Sequence, residues 1–256
     1  MYLIDTHSHI YQPPFDEDLD AMVQRALEAN VKKILLPNID LESVERMHAL
    51  CDAYPEVCYP MMGLHPCDVK ENNQEVLDAL YKHFSTRKYI AVGEIGIDLY
   101  WDKTTLPYQV EAFKIQINWA KELGLPIVIH ARESFDEIFA VLDEMNDERL
   151  KGVFHCFTGT LEQAQKVMSY GGFIMGIGGV LTYEKSGLDK VVADIPMDYL
   201  VLETDSPYLT PKPYRGKRNE SAYTRIVAEK LALVKGISLE EVMVITTRNA
   251  EQLFKV

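Results

Sequence analysis

Cysteine and tryptophan are scarce in this chain: four and two among 256 residues. Cys51, Cys58, Cys67 and Cys156 form no C-x-x-C pair and no framework spacing, which argues against a disulfide-stapled secreted fold. Four reduced thiols in a reducing cytosol are expected, mostly buried as small hydrophobes. No apolar run approaches the roughly 18 residues a membrane span needs, and no charged segment with an apolar core behind it opens the chain. A soluble, cytoplasmic protein is therefore expected. Positive charge is also short: 26 Lys and Arg stand against 39 Asp and Glu, a net charge of −13. This counts against a broad basic face for nucleic acid. A phosphate-bearing substrate must be held by local charge or by metal. There is no G-x-G-x-x-G after the first apolar run, which removes the usual support for a doubly wound nucleotide-binding sheet. No internal repeat, low-complexity run or linker divides the chain, so residues 1–256 are expected to form one domain.

What is present is a regular alternation. With 47% hydrophobic residues the chain can bury a large core. Strands are expected at 2–6, 33–37, 57–64, 89–93, 127–129, 152–154, 173–177 and 199–203. Helices are expected between them at 16–30, 41–53, 74–84, 107–123, 135–145, 161–170 and 188–193. Gly124 is placed to terminate the long fourth helix. Alternation of this kind predicts parallel strands joined by crossover helices, and eight such units in this length predict an α/β (β/α)8 TIM barrel. An open doubly wound sheet is the alternative. Residues 210–219 read as a loop rich in Pro, Lys and Arg. Helices at 223–235, 239–245 and 249–254 follow, with Ser238 and Glu241 spaced as a capping box.

The chemistry-bearing residues fall where this fold places active sites, at the C-terminal ends of the strands. His7 and His9, two apart on an extended segment, share a face. Asn38 follows the second strand, His65 the third and Glu94 the fourth. His130 and Arg132 follow the fifth, His155 the sixth and Asp205 the eighth. Five of the seven histidines therefore sit at strand ends. His48 and His83 are the exceptions, expected to face solvent from helices. Taken singly, His65, His130 or His155 reads as a hydrogen-bonded core histidine, Glu94 as a partner of Arg132 or a lysine, and Asp205 as a turn cap. Taken together they leave several ionisable groups on apolar strand ends, which is costly unless they share a metal or pair with one another.

Four histidines and two carboxylates suffice for two divalent ions, one carboxylate bridging them, with a bridging water that loses a proton near neutral pH. Two such ions outweigh Glu94, Asp205 and a hydroxide, so an acidic protein can still present a positive pocket. Lys212, Arg215, Lys217 and Arg218 lie just past Asp205. They read either as a solvated loop or as phosphate anchors. Tyr100, Trp101, Tyr208 and Tyr214 read either as rim packing or as base-stacking groups.

Eight segments now resemble one family, the TatD metal-dependent hydrolases, deoxyribonuclease-like (β/α)8 barrels related to the amidohydrolases. They are Asp5-Thr-His-Ser-His9, Gly63-Leu-His-Pro66, Gly93-Glu-Ile-Gly-Ile-Asp98, Ile129-His-Ala-Arg132, His155-Cys-Phe-Thr-Gly159, Glu203-Thr-Asp-Ser-Pro-Tyr-Leu209, Arg215-Gly-Lys-Arg-Asn219 and Thr247-Arg-Asn-Ala-Glu-Gln-Leu-Phe254. They keep their order from end to end. The resemblance implies His7, His9, Glu94, His130, His155 and Asp205 as metal ligands, Glu94 as the bridge, and His65 facing substrate. Thr158 stands where Ser is more usual and Leu99 where an aromatic is. Neither touches an implied ligand.

The expected reaction is hydrolysis of a phosphodiester by metal-activated water, with Asp205 as general base and Glu94 the second catalytic carboxylate. His65, Arg132, Tyr208, Arg215, Lys217 and Arg218 are the candidate substrate contacts. The resemblance implies a DNA substrate, preferably single-stranded and degraded from its 3′ end; a monomer is expected. Mixed histidine and carboxylate donors accept Mg, Zn or Mn, and the family's nuclease activity is associated with magnesium. An amide, lactone or aminoacyl-ester hydrolase using the same site is the alternative. A non-catalytic scaffold is the third reading, and it would be expected to lack ligands.

Overall fold

The computed structural model describes residues 1–71 and 73–256. Among them eight parallel strands alternate with helices. In chain order these are β1 (Leu3–Asp5), α1 (Leu19–Glu28), β2 (Val31–Leu36), α2 (Val44–Ala53), β3 (Cys58–Pro60), α3 (Asn73–Lys82), β4 (Val92–Asp98) and α4 (Leu106–Leu123). There follow β5 (Ile127–Arg132), α5 (Phe135–Met145), β6 (Gly152–Phe154), α6 (Leu161–Ser169), β7 (Phe173–Ile177), α7 (Leu188–Asp194), β8 (Leu200–Leu202), α8 (Thr224–Lys235) and α9 (Leu239–Phe254).

Strands β1–β3 pair in sequence, as do β4–β8. Two seams join these runs into a barrel. Between β3 and β4, Gly93 N–H donates to Met62 O at 3.0 Å and Met62 N–H to Ala91 O at 3.2 Å. Between β8 and β1, Thr6 N–H donates to Leu202 O at 3.0 Å and Asp205 N–H to His7 O at 2.9 Å. Closure leaves no strand edge to aggregate.

Strand alternation sorts the apolar residues into two cores. Leu3, Ile34, Leu36, Ile127, Ile129, Leu200 and Leu202 face outward and pack with the helices. Their neighbours Ile4, Leu35, Met61, Ala91, Val128, Val153 and Val201 turn inward and form a separate cluster with Ala250, Leu253 and Phe254 of α9. The last helix is thus the stopper in the N-terminal end of the barrel, and the opposite end stays free for chemistry. Thr247 Oγ1 donates to Tyr2 O at 2.7 Å, and Asn249 Nδ2 donates to Leu200 O at 2.8 Å, tying the stopper to β1 and β8.

The observed elements depart from the expected ones in instructive places. The fourth strand starts at Val92 and runs through Asp98, so Glu94 lies within it. Gly93 and Gly96 suggest a strand end, yet Gly96 is required inside the sheet: a Cβ there would lie 2.2 Å from His130 O. The third strand is short, since Pro60 has no N–H to give to the ladder. The last two expected helices are one helix, α9, running through Thr246 and Thr247. The hydroxyls that argue against a helix interior are both satisfied, Thr246 on Val242 O and Thr247 on β1. The capping box at Ser238 and Glu241 is present, and Gly124 ends α4 in the left-handed conformation at φ 67°. His48 and His83 are half-buried rather than solvent-facing, and His48 Nε2 lies 2.8 Å from Tyr89 OH.

The stopper yields a test. Phe254 is buried in the inner core, so Phe254→Ala is expected to cost about 3–5 kcal/mol. A urea melt that leaves the midpoint unchanged would show that α9 does not close the barrel.

Candidate metal centre

The site is built at the open end from residues two or more places beyond the inner core. His130, His155 and Glu203 each stand two residues past Val128, Val153 and Val201, so the same strand face that is apolar below is ionisable above. Gly176 stands likewise two past Ile174. A Cβ there would lie 2.1 Å from Glu203 Oε2, so the glycine makes room for that carboxylate. Glu94 breaks the rule. Alternation from Ala91 and Gly93 would send its side chain outward. The register of β4 against β5 shifts between Val92 and Ile95, and this irregularity turns Glu94 inward, as bulges beside active sites commonly do.

Glu94 is 2% exposed, and its two oxygens divide the surrounding donors. Oε2 lies 3.2 Å from His7 Nε2 and 3.4 Å from His9 Nε2. Asp205 Oδ1 completes that group at 3.8 and 3.7 Å from the same two nitrogens. Oε1 lies 2.8 Å from both His130 Nδ1 and His155 Nε2, and 3.4 Å from His65 Nε2. Ligands about 2.1 Å from a tetrahedral ion stand about 3.4 Å from one another. The donors around Oε2 are spaced as ligands of a cation would be, those around Oε1 are drawn in to hydrogen-bond distance, and the donor types of both groups are those of borderline metals. His7, His9 and Glu94 form one set of three able to hold an ion, and His65, Glu94 and His130 another.

The far nitrogens of His9 and His130 are hydrogen-bonded so that the near ones present lone pairs, while His7 Nδ1 and His155 Nδ1 have no hydrogen-bond partner among the described residues. Tyr11 OH donates to Pro37 O at 2.6 Å and so accepts from His9 Nδ1 at 3.0 Å. Asp98 Oδ2 accepts from His130 Nε2 at 2.8 Å. Glu203 Oε1 stands 3.6 Å from His155 Nδ1 and accepts from Cys156 N–H at 2.5 Å. Partners of this kind fix the tautomer and the ring plane. Asp205 is placed by a left-handed backbone at φ 56°, which Asp tolerates, with its N–H on His7 O.

Electrostatics follow from burial and crowding. Burial alone would raise the Glu94 carboxyl, but His155, His65 and His7 outweigh it and hold it well below the usual range. Burial likewise opposes, and His130 overcomes, for Asp98, which falls to about 2. For Asp205 burial wins over His155 and His9, and the carboxyl rises to about 6. Burial and the neighbouring His155 drive His7 well below the ordinary imidazole value. Burial opposes protonation of His155 too, but Glu94 and Glu203 raise it well above that value.

Of the residues singled out in the sequence, His7, His9, His65, Glu94, His130, His155 and Asp205 converge here. Arg132 and Tyr208 line the same cavity of about 690 Å³. Arg132 does not pair with Glu94; its guanidinium lies 3.8 Å from the Tyr100 ring centre. The basic loop is not brought to the cavity. Arg218 forks onto Asp18 at 2.6 and 2.8 Å and lies over Phe15. Lys212 pairs with Glu184 at 3.0 Å, Arg215 stacks on Tyr183 at 4.5 Å, and Lys217 stands 5.8 Å from the Tyr214 ring centre. The loop faces acidic and aromatic neighbours on its own side, which take up its charge. Asn38 is structural, donating to Asp40 O and Gly63 O. Asp98, Glu203 and Tyr11 were not singled out. The signal for the first two was their position, each on or just past a strand that carries a ligand.

An eight-stranded parallel barrel with this histidine and carboxylate centre at its C-terminal mouth defines a metal-dependent hydrolase. The family model described as TatD related DNase matches residues 4–255, and the chain belongs to the TatD family. It is 38% identical to the metal-dependent hydrolase YabD of Bacillus subtilis, over 99% of both chains. The crystal structure of the TatD homologue YjjV from Escherichia coli superposes with a TM-score of 0.93 at 33% identity, covering 99% of this chain and 98% of that one. The protein named 3′-5′ ssDNA/RNA exonuclease TatD from Salmonella typhimurium is 33% identical over 99% of each chain.

The shared carboxylate predicts an asymmetry in metal content. Glu94→Ala is expected to abolish tight binding at both donor groups in equilibrium dialysis with elemental analysis. Asp98→Ala is expected to weaken only the His130 side, by about 10- to 100-fold. Full metal content in the Glu94 variant would refute the shared-ligand arrangement.

Proposed function

We propose that the protein is a two-metal deoxyribonuclease that removes nucleotides from the 3′ end of single-stranded DNA. The observation that carries the reading is the division of the Glu94 oxygens between two donor groups beside an open cavity, with Asp205 beside the His7 and His9 group. His7, His9, Glu94 and Asp205 would hold one divalent ion, and Glu94, His130 and His155 the other, with His65 toward substrate. Mg, Mn and Zn all suit such donors. When bound, the ions supply a lowered pKa for water and charge stabilisation for a developing oxyanion.

Asp205 would take the proton of the attacking water; its 15% exposure on the cavity lining and a carboxyl more basic than that of Glu94 support this role. Arg132 is, among the described residues, the one Lys or Arg lining the cavity. Its guanidinium lies over the Tyr100 ring, which would leave N–H groups for a phosphate. The relative named as a 3′-5′ ssDNA/RNA exonuclease supports polarity and substrate class.

We expect the protein to act in the cytosol as a monomer. Its four cysteines are free thiols, and among the described residues no helix is long and apolar enough to cross a membrane. A second reading, hydrolysis of an uncharged ester or amide, is favoured by the single cavity arginine, since such a substrate needs no more.

The deciding assay uses 5′-labelled single-stranded DNA with protein stripped of metal and then given Mg, Mn or Zn. A ladder that shortens from the 3′ end only with added metal is expected. No cleavage with any metal, together with turnover of a neutral ester, would move the reading to the second. Arg132→Ala is expected to raise KM for DNA at least tenfold, given about 1.5–3 kcal/mol for a hydrogen bond to a charged group. Arg218→Ala is expected to lower the melting temperature and leave turnover at the wild-type level. A DNA-specific loss in the Arg218 variant would return the basic loop to the substrate path.

A further inference from the structure

The cavity has one wall that the hydrolytic machinery does not use. Trp101 is 70% exposed and Tyr100 51%, although aromatic rings of this size usually bury most of their surface. Their centroids are 4.9 Å apart and the rings are perpendicular. The Arg132 guanidinium lies 3.8 Å from the centre of Tyr100 and 5.4 Å from that of Trp101. Trp101 and Arg132 line the cavity that holds Glu94 and Asp205.

The loop is fixed, not trailing. Tyr100 N–H and Trp101 N–H both donate to Asp98 Oδ1, at 2.9 and 3.1 Å, while Asp98 Oδ2 holds His130 Nε2. One carboxylate thus sets both a metal ligand and the backbone of the two rings. The other exposed aromatics differ. Tyr214 is stacked on Tyr223 at 4.7 Å and lies outside the cavity lining. Tyr208 lines it, but its hydroxyl is bound to Gln12 at 3.1 Å.

We propose that Trp101, with Tyr100 and Arg132, forms a subsite for one unpaired nucleobase and the phosphate beside it, at a distance from the metal centre set by Asp98. This rests on the phosphodiesterase reading and deepens it. An exposed indole face accepts any base, because every base has a π-face. It accepts only a base that has left its own stack, so the subsite selects single strands by geometry. Arg132, held against the rings, then meets the phosphate of the stacked nucleotide. The base is gripped next to the bond that is cut.

The test uses the full chain loaded with Mg and two substrates of equal charge: a single-stranded thymidine decamer, and a decamer of abasic tetrahydrofuran units joined by the same phosphodiesters. Trp101→Ala is expected to raise KM for the thymidine decamer about tenfold, the loss of one base–aromatic stack. No such rise is expected for the abasic decamer, and Trp101→Phe should recover most of the loss. A rise of equal size on both substrates, or on neither, overturns the subsite.

Binding is read separately from turnover. With two tryptophans in the chain, Trp119→Phe leaves Trp101 as the one tryptophan, excited selectively at the red edge where tyrosine does not absorb. Its emission in the metal-loaded protein should be quenched by a phosphorothioate thymidine decamer and not by the abasic phosphorothioate. If wild-type protein cleaves neither decamer, the phosphodiesterase reading falls. Quenching by the thymidine decamer alone would then still uphold the base subsite, and no quenching would remove it.

Discussion

A single buried carboxylate, Glu94, sets the terms for the rest of the structure. An ionised group at 2% exposure is tolerated only when compensating charge and hydrogen bonds surround it. Here the compensation is a ring of imidazoles, His7, His9, His65, His130 and His155, supplied by four different strand ends. Because those strands meet only in a closed barrel, the centre and the fold are one problem. The seam between β8 and β1 carries His7 and Asp205 in the same hydrogen bond, Asp205 N–H to His7 O. Opening the seam would dismantle the donor group that uses both residues. The stopper α9 at the other end has the matching task of holding β1 and β8 together from below.

Orientation is handed outward from the centre in short steps. His9 is turned by Tyr11, and Tyr11 by a backbone carbonyl. His130 is turned by Asp98, and Asp98 by the backbone of the next loop. Glu203 stands behind His155 and is itself held by Cys156 N–H. Each path ends on main chain within a few residues of a strand. A ligand anchored that way loses little entropy on binding, because its rotamer is already fixed. It also explains why the strand ends need glycine: Gly176 and Gly96 stand where the backbone or a carboxylate must come closer than any side chain allows.

The period-2 apolar runs, the spacing of the crossover helices and the polar residues beyond each run made the barrel and the donors Glu94, His130, His155 and Asp205 legible in the sequence. Their immediate partners were less so. Asp98 lies in a motif already noticed, but its role depends on which ring nitrogen it meets, a three-dimensional fact. The inward turn of Glu94 is likewise hidden, since simple alternation points it the other way and only the register shift with β5 corrects it. The position of the basic loop was hidden for a related reason. Its nearness to Asp205 along the chain is real, but Asp18, 200 positions away, pairs with Arg218. Short-range patterns report which face a residue occupies, and long-range ion pairs are decided by the fold.

Withdrawal of that loop changes how an acidic protein can grip an acidic polymer. At a net charge of −13 the outer surface repels a duplex rather than attracting it. With Arg218 and Lys212 paired to carboxylates, the attractive charge contracts to the cavity, to Arg132 and whatever cations the donors hold. Such a field is short-ranged, screened beyond about 8 Å at physiological salt, and it reaches only a strand that has already entered. On the nuclease reading a duplex would be repelled outside, whereas a single strand would exchange base stacking with its neighbours for stacking on the exposed rings. Repulsion outside and stacking inside would then act together, on that reading, as a selection for unpaired ends without any residue that reads sequence.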